Sequence, residues 1–484
     1  MNYRLLSFFL GKLCNTCAVS FCLPLLLSIF LNEDCVYAFL QAIVTSICMG
    51  FVFVKFGNSE DAGITYREGV AIAGFGWFVI TFLGSLPYAF AGILDPVSAF
   101  FESVSGFTTT GATAISQIEV LPRSLLLWRS LTHWIGGIGI IVVFIAFLPQ
   151  VASGAVHMFN AEVTGPSSER VLPRIKTTAI ALCKIYLFFT SVEMIMLCLA
   201  GMNVFEAINH SFSTIATGGF STYDTSVTHF ESPLIEGIIT VFMIIAGGNF
   251  ALYYLIGEKG PRVLWQDTEF KVYISIIFIV TAAIGLNLYI NNYFNGIDSF
   301  RYSIFQVVSI ISTTGFVSND FDIWPPFSKL CLVLLMFIGG CAGSTAGAIK
   351  VSRIVVLTKM AFAHLKRTIH PSMVVDISMS GKTVPSPIVA GIVRFFFLYI
   401  VLFAFLTFLI AMTGLSVMDS IGIIAATISS VGPALGVAGA TCTYADINSF
   451  GKIVISIAML LGRLELFTLL VLLRPEFWRS TRNW

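Results

Sequence analysis

Four short stretches rich in hydroxyl-bearing and glycine residues interrupt an otherwise apolar chain. They are Ser105-Gly106-Phe107-Thr108-Thr109-Thr110-Gly111-Ala112-Thr113, Ala216-Thr217-Gly218-Gly219-Phe220, Ser312-Thr313-Thr314-Gly315-Phe316 and Ser429-Ser430-Val431-Gly432-Pro433. What such stretches can supply is backbone oxygen. Glycine lets a chain turn its carbonyls to one side, and rings of carbonyls replace the hydration shell of a monovalent cation. At membrane depth, irregular backbone is tolerated only where it is buried or lines water.

Repetition carries the reading. Gly111, Gly218, Gly315 and Gly432 lie roughly one hundred residues apart, and self-similarity at a fixed period outranks local composition. Aligned on these glycines, the preceding residues are Thr110, Thr217, Thr314 and Val431, and those before them Thr109, Ala216, Thr313 and Ser430. Nine residues upstream stand Glu102, Asn209, Gln306 and Ile423, three of them polar. Each stretch closes a segment too short to span a bilayer. Each segment opens on a capping-type residue: Asp95 before Pro96, Asn203, Asp298-Ser299 and Ser416. The C-terminal end of such a helix, with its partial negative charge, then faces the axis and favours a cation.

The elements that position these loops are membrane helices. Of 484 residues 57% are hydrophobic and 11% charged, against about a quarter charged in soluble domains. The net charge of +1 implies no bulk electrostatic partner and no nucleic acid. The ten cysteines show no disulfide-framework spacing, and Cys14 and Cys17 form a lone pair inside an apolar run. Apolar periodicity predicts helices over 8–30 and 36–54, then pairs over 69–91 and 125–148, 177–201 and 234–256, 272–290 and an interrupted 330–358, and 388–414 and 453–473. The first run, preceded by Arg4 and Lys12, is expected to be retained rather than cleaved as a signal peptide. The division expected is two N-terminal helices in 1–67, then units over 68–175, 176–265, 266–384 and 385–484. The fold class is therefore an all-α integral membrane protein: four pseudo-fourfold helix–pore-loop–helix repeats around one pore, plus two extra N-terminal helices. Alternating the spans gathers Lys55 and Arg67, 170–176, 259–271, 350–382 and 474–482, nearly all the basic loops, on one side. That side is cytoplasmic by the positive-inside rule, with both termini there and the glycine loops dipping in from outside.

The stretches over 105–113, Thr217-Gly218-Gly219-Phe220, Gly432-Pro433, Ile338-Gly339-Gly340-Cys341-Ala342-Gly343-Ser344-Thr345 and Leu461-Gly462-Arg463-Leu464-Glu465-Leu466-Phe467 together resemble the bacterial TrkH potassium-uptake family. The resemblance covers essentially the whole chain. It implies repeats related to potassium channels, a homodimer with one pore per protomer, residence in the bacterial inner membrane, and gating by a cytoplasmic TrkA-like nucleotide-binding ring. NAD(H), ATP or ADP is then expected only on that partner subunit, with no cofactor bound by this chain and K⁺ as the transported ion.

Two further places bear on gating. Gly339, Gly340, Gly343 and Gly347 interrupt the third unit's second helix around Ser344 and Thr345. Such backbone can bend across the pore below the filter, and the resemblance makes it an intramembrane gate, although Ala346 and Ala348 stand where more glycine is expected. The alternative is a small-residue helix-packing site. Arg463 lies mid-span, where an arginine is costly unless partnered. The resemblance sets it across the pore from the gate, repelling cations or holding the loop shut. The alternatives are an ion pair with Glu465 or Glu193, or snorkelling. Lys350 is read as marking the cytoplasmic boundary. In the fourth loop Val431 replaces threonine and Pro433 removes an N–H donor. The filter is therefore not fourfold exact and is expected to pass K⁺, also Rb⁺, and Na⁺ more weakly.

The function expected is K⁺ uptake through a gated, channel-like pore. Membrane potential suffices as the drive, since one charge crossing 100 mV is worth about 2.3 kcal/mol. A K⁺/H⁺ or K⁺/Na⁺ symporter is the alternative, and needs titratable groups along the pathway. Glu102 is the only carboxylate next to a loop and lies behind it. An intramembrane enzyme needs a catalytic set at one depth, and His133 and His210 stand isolated. There is no Walker A lysine loop or strand-flanked GxGxxG. A membrane scaffold leaves the repeated loops unexplained.

Overall fold

The structure, a computed structural model, describes residues 1–57, 66–139, 175–373 and 375–478. Among the described residues almost all regular structure is helical, with one two-stranded hairpin pairing Ser378–Met379 with Lys382–Thr383. Six helices among the described residues are long and apolar enough to cross a membrane: Tyr3–Leu31, Val36–Phe56, Arg67–Phe90, Ala179–Leu199, Thr268–Ile290 and Ser386–Ala411. At 1.5 Å per residue each covers the hydrocarbon core.

The first two form an antiparallel pair outside the rest. Asn32, left-handed at φ 52°, ends the first helix and turns the chain. Their approach is close because Gly11 faces Gly50: a Cβ on Gly11 would lie 2.8 Å from the carbonyl oxygen of Gly50. Small residues let membrane helices approach this closely.

Four short helices fill the centre: Pro96–Phe107, Val204–Ile215, Gly296–Ile311 and Val417–Ile428. Asp95, Asn203 and Ser416 cap three of them through side-chain oxygens. The third differs from expectation. It starts a turn earlier, at Gly296 after Asn295, so Asp298 lies in its first turn and pairs with Arg301 at 3.3 Å instead of capping.

Each central helix is followed by a second, outgoing helix: Arg123–Ile138, Pro233–Gly247, Pro326–Ile338 and Ser449–Arg463. All four stop short of a bilayer's width, where the sequence predicts spans for three. Gly139 ends the first at φ 79°, and the remainder of the predicted 125–148 span lies outside the described residues, as does most of the basic segment 170–176. The second bends by 90° into Phe250–Lys259. Asn249 caps the new helix by accepting from the Ala251 N–H at 2.9 Å. The fourth breaks at Glu465 and Leu466, both at positive φ, before Phe467–Leu472. Only the third break follows from the sequence reading. The first two escape it because the apolar run continues through them.

Candidate functional site: a ring of loop carbonyls above an intramembrane loop

The four central helices end in the same way. Thr109, Thr217, Thr313 and Ser430 are left-handed, with φ between 55° and 58°. The next residue's N–H reaches five residues back: Thr110 to Ser105 at 2.9 Å, Gly218 to Ser213 at 2.8 Å, Thr314 to Ser309 at 2.9 Å and Val431 to Ala426 at 2.7 Å. These are Schellman closures with a hydroxyl residue where glycine is usual. A glycine follows each at φ of 78° to 96°: Gly111, Gly219, Gly315 and Gly432.

The second loop is thereby corrected by one residue. Its counterparts of Thr109, Thr110 and Gly111 are Thr217, Gly218 and Gly219, whereas the sequence alignment chose Ala216, Thr217 and Gly218. Ala216 is the right-handed cap residue, like Thr108, Ser312 and Ser429. The residue nine before the glycine is then His210, not Asn209. Adjacent glycines left the register ambiguous. The caps resolve it: Asp95, Asn203 and Ser416 each precede Gly111, Gly219 and Gly432 by sixteen residues.

The glycines close a cycle. The space a Cβ would take on Gly111 is filled by the carbonyl oxygen of Gly218, that on Gly219 by Thr314, that on Gly315 by Val431, and that on Gly432 by Thr110. Each loop thus rests its glycine against its neighbour's carbonyl, and the fourth returns to the first. Four backbone oxygens lie at one level around one axis, and no side chain can be added there. Buried groups hold the loops from behind. The Arg129 guanidinium pairs with Glu102 at 2.9 Å, donates to the Ser221 carbonyl at 3.1 Å and lies 4.1 Å over the Phe220 ring. His133 stacks on Phe220 with centroids 4.0 Å apart and backs Gly218. The Tyr444 hydroxyl donates to the Gly432 carbonyl at 2.7 Å, and the Tyr399 and Ser429 hydroxyls lie 2.8 Å apart.

A cavity of about 60 Å³ opens beyond the glycines, lined by all four together with Tyr444 and Asp224. On the opposite side a cavity of about 130 Å³ is lined by Gly343–Ala348, Lys350 and Arg463. The segment between Ile338 and Val351 lies against the loops: the Gly347 N–H donates to Thr313 Oγ1 at 2.8 Å, and Thr345 Oγ1 to the Ile215 carbonyl at 3.1 Å. Gly339 and Gly343 take φ of 75° and 74°. A Cβ on Gly340 would crowd the Gly247 carbonyl at 2.7 Å. Arg463 reaches the Thr345 carbonyl at 2.9 Å and the Gly137 carbonyl at 3.3 Å, while Glu465 pairs with Arg353 at 2.9 Å.

Lys350 is corrected. Read as marking the cytoplasmic boundary, it is buried rather than exposed, because the segment folds back and its ammonium donates to the Ala346 carbonyl. Sequence reasoning also passed over Arg129 and Tyr444. A charge inside an apolar run flags Arg129 by the same argument that selects Arg463. Tyr444 carried no such signal.

The sequence profile of a family described as TrkH, cation transport protein, matches residues 37–480. The chain belongs to the TrkH family. It is 37% identical over 485 residues to the Trk system potassium uptake protein TrkH of Salmonella typhimurium, covering 99% of this chain and 100% of the relative. It is 30% identical to the Trk system potassium uptake protein TrkG of Escherichia coli K12, covering 99% of each. The crystal structure of the potassium transporter TrkH from Vibrio parahaemolyticus superposes with a TM-score of 0.90 at 35% identity, covering 99% of this chain and 100% of that one. As a TrkH-family member the chain is a multi-pass membrane protein of a cation-transport class.

Proposed function

We propose that this chain takes up K⁺ across the bacterial inner membrane through a gated pore, driven by membrane potential. The observation that carries the reading is the closed cycle of four loop carbonyls. Oxygen dipoles fixed around one axis can replace a cation's water, and the central helices aim their negative ends at that axis. The filter is assigned to the backbone of Thr109, Thr110, Gly111, Thr217, Gly218, Gly219, Thr313, Thr314, Gly315, Ser430, Val431 and Gly432, with Ala216 just behind it. Rb⁺ passes too, and Na⁺ less well.

Gly339, Gly340, Gly343, Ser344, Thr345 and Gly347 form the gate, held by Arg463. In this reading both termini are cytoplasmic, the chain is a homodimer with one pore per protomer, and a TrkA-like ring carrying NAD(H), ATP or ADP moves the gate from the cytoplasm. The units follow the divisions 68–175, 176–265, 266–384 and 385–484. Support for uptake without proton coupling comes from Glu102, whose carboxylate is occupied by Arg129, Thr113 and the Ala114 N–H.

Tracer Rb⁺ uptake into proteoliposomes with an imposed potential tests the reading. Gly111→Asp or Gly315→Asp puts a side chain where a neighbour's carbonyl already lies, and abolishes uptake. Undiminished uptake in either variant disproves the pore.

A further inference from the structure

One buried carboxylate touches both ends of the crossing segment. Glu269, on the cytoplasmic end of Thr268–Ile290, is buried. Its Oε1 accepts from the Ala342 N–H at 2.7 Å and from the Ser352 N–H at 2.9 Å. Ala342 lies near the start of the segment, and Ser352 lies in the first turn of Val351–Ile369, the helix that follows it.

That helix has no cap of its own. Its N-cap position is Lys350, left-handed at φ 82°, with no side-chain hydrogen bond to the first turn. First-turn N–H groups need an acceptor, and an anion there also meets the positive end of the helix dipole. Glu269 supplies both from a separate element.

The two ends lie side by side. The Lys350 N–H donates to the Ile338 carbonyl at 2.9 Å and the Val351 N–H to the Gly340 carbonyl at 3.0 Å. Glu269 is itself fixed from the cytoplasmic side. Asp267 caps its helix through the Phe270 N–H at 2.8 Å, and Ser380 of the exposed hairpin bonds Asp267 Oδ2 at 3.0 Å and the Thr268 N–H at 3.0 Å.

We propose that Glu269 is a positioning residue for transport: its single oxygen clamps the two feet of the segment 339–350, so that the tip at Ser344–Gly347 is held under the carbonyl ring. This rests on the reading of that segment as the gate. A tip displaced from the axis needs its feet to part or turn, and either motion breaks a bond to Glu269. Removing the carboxylate orphans two buried donors and lowers the barrier to that motion.

The test uses the full-length protein in proteoliposomes, reading tracer Rb⁺ flux per folded protein and the thermal unfolding midpoint. Glu269→Ala raises basal flux by about tenfold, the size expected from one or two lost buried hydrogen bonds. Glu269→Gln keeps an acceptor oxygen in place and brings flux back to within about twofold of the parent protein. Glu269→Asp is one methylene short of both donors and behaves like the Ala variant. It replaces the Ala variant if that protein is not recovered folded. A lowered midpoint with unchanged flux in the Ala and Asp variants makes Glu269 a structural cap only and overturns the proposal. Gly315→Asp in the same assay separates the two failures. If it abolishes flux while Glu269→Ala and Glu269→Asp leave flux at the parent level, the clamp is wrong and the pore stands. If it leaves flux intact, the pore reading falls first.

Discussion

Arg463 Nη1 donates to the carbonyl oxygen of Thr345 at 2.9 Å, so the last long helix grips the crossing segment by its backbone. The same guanidinium reaches the Gly136 and Gly137 carbonyls at the end of Arg123–Ile138. One side chain therefore ties three separate stretches together on the side of the ring where the segment 339–350 lies. Bonds from this guanidinium to three carbonyls offset the cost of an arginine within a membrane span.

Arg463→Ala frees the Thr345 carbonyl and raises basal Rb⁺ flux. Hydrogen bonds from charged donors are worth about 1.5–3 kcal/mol, so the increase is about tenfold or more. Arg463→Lys gives an intermediate flux, because an ammonium offers a point charge without the planar fork that spans Thr345 and Gly136. Flux in the Ala variant equal to the parent's shows that the grip does not restrain the segment.

The register of the second loop is tested with its paired glycines. Gly219→Ala needs an L-residue at φ 80° and meets the Thr314 carbonyl, so uptake is lost. For Gly218→Ala the three nearest atoms are all in the His133 ring. Uptake in Gly218→Ala is therefore partly restored by His133→Ala, and uptake in Gly219→Ala is not. Rescue of both, or of Gly219→Ala alone, returns the loop to the sequence alignment on Gly218.

Much of this arrangement is legible in the sequence. Hydroxyl-glycine loops stood out because few other reasons place Thr109, Thr313 and Ser430 before glycine in apolar surroundings. The cap residues were visible too, and counting from Asn203 rather than matching glycines gives the second register. What was not legible is anything set by contact across the sequence. The break at Gly248-Asn249 lies in a run that stays apolar on both sides. Glu465 reads as a partner for Arg463 by proximity in sequence, yet the positive φ at Glu465 and Leu466 turns it toward Arg353. Lys350 looks terminal only if the segment before it is taken as straight.

Asp95 offers a pH readout outside the spanning helices. Its Oδ2 accepts from the Val97 N–H at 3.1 Å and the Ser98 N–H at 3.2 Å. Hydrogen bonding from Ser98, ahead of the remaining first-turn contacts and the Lys452 charge, holds its carboxyl below the usual aspartate value. A folded-state pKa below the unfolded one gives stability that is present above the unfolded value and lost as pH falls through the folded value. Asp95→Ala thus costs about 1 kcal/mol at neutral pH, the usual worth of a cap. The gap between parent and variant unfolding midpoints closes as the medium is acidified below the depressed value. A gap that is constant with pH rules out the charged cap.

The Arg129–Glu102 pair is where stability and ion discrimination separate. Both side chains are buried, and together they hold Thr113 and Ala114 on one loop and Ser221 on the next. Removing one partner strands the other charge, at about 3–5 kcal/mol, whereas replacing both with apolar groups of similar volume is far milder. Glu102→Ala therefore lowers the unfolding midpoint more than the double variant Glu102→Leu/Arg129→Met does. Discrimination follows a different order. The exits of two adjacent loops are fixed by this guanidinium. The double variant removes the tie altogether, and lysine offers a point charge without the planar fork that meets Glu102 through Nε and the Ser221 carbonyl through Nη1. Arg129→Lys and the double variant both let Na⁺ compete better against Rb⁺ uptake, whatever their midpoints. A double variant with restored stability and unaltered Na⁺ competition means that the pair only stabilises the fold and does not set the geometry of the ring.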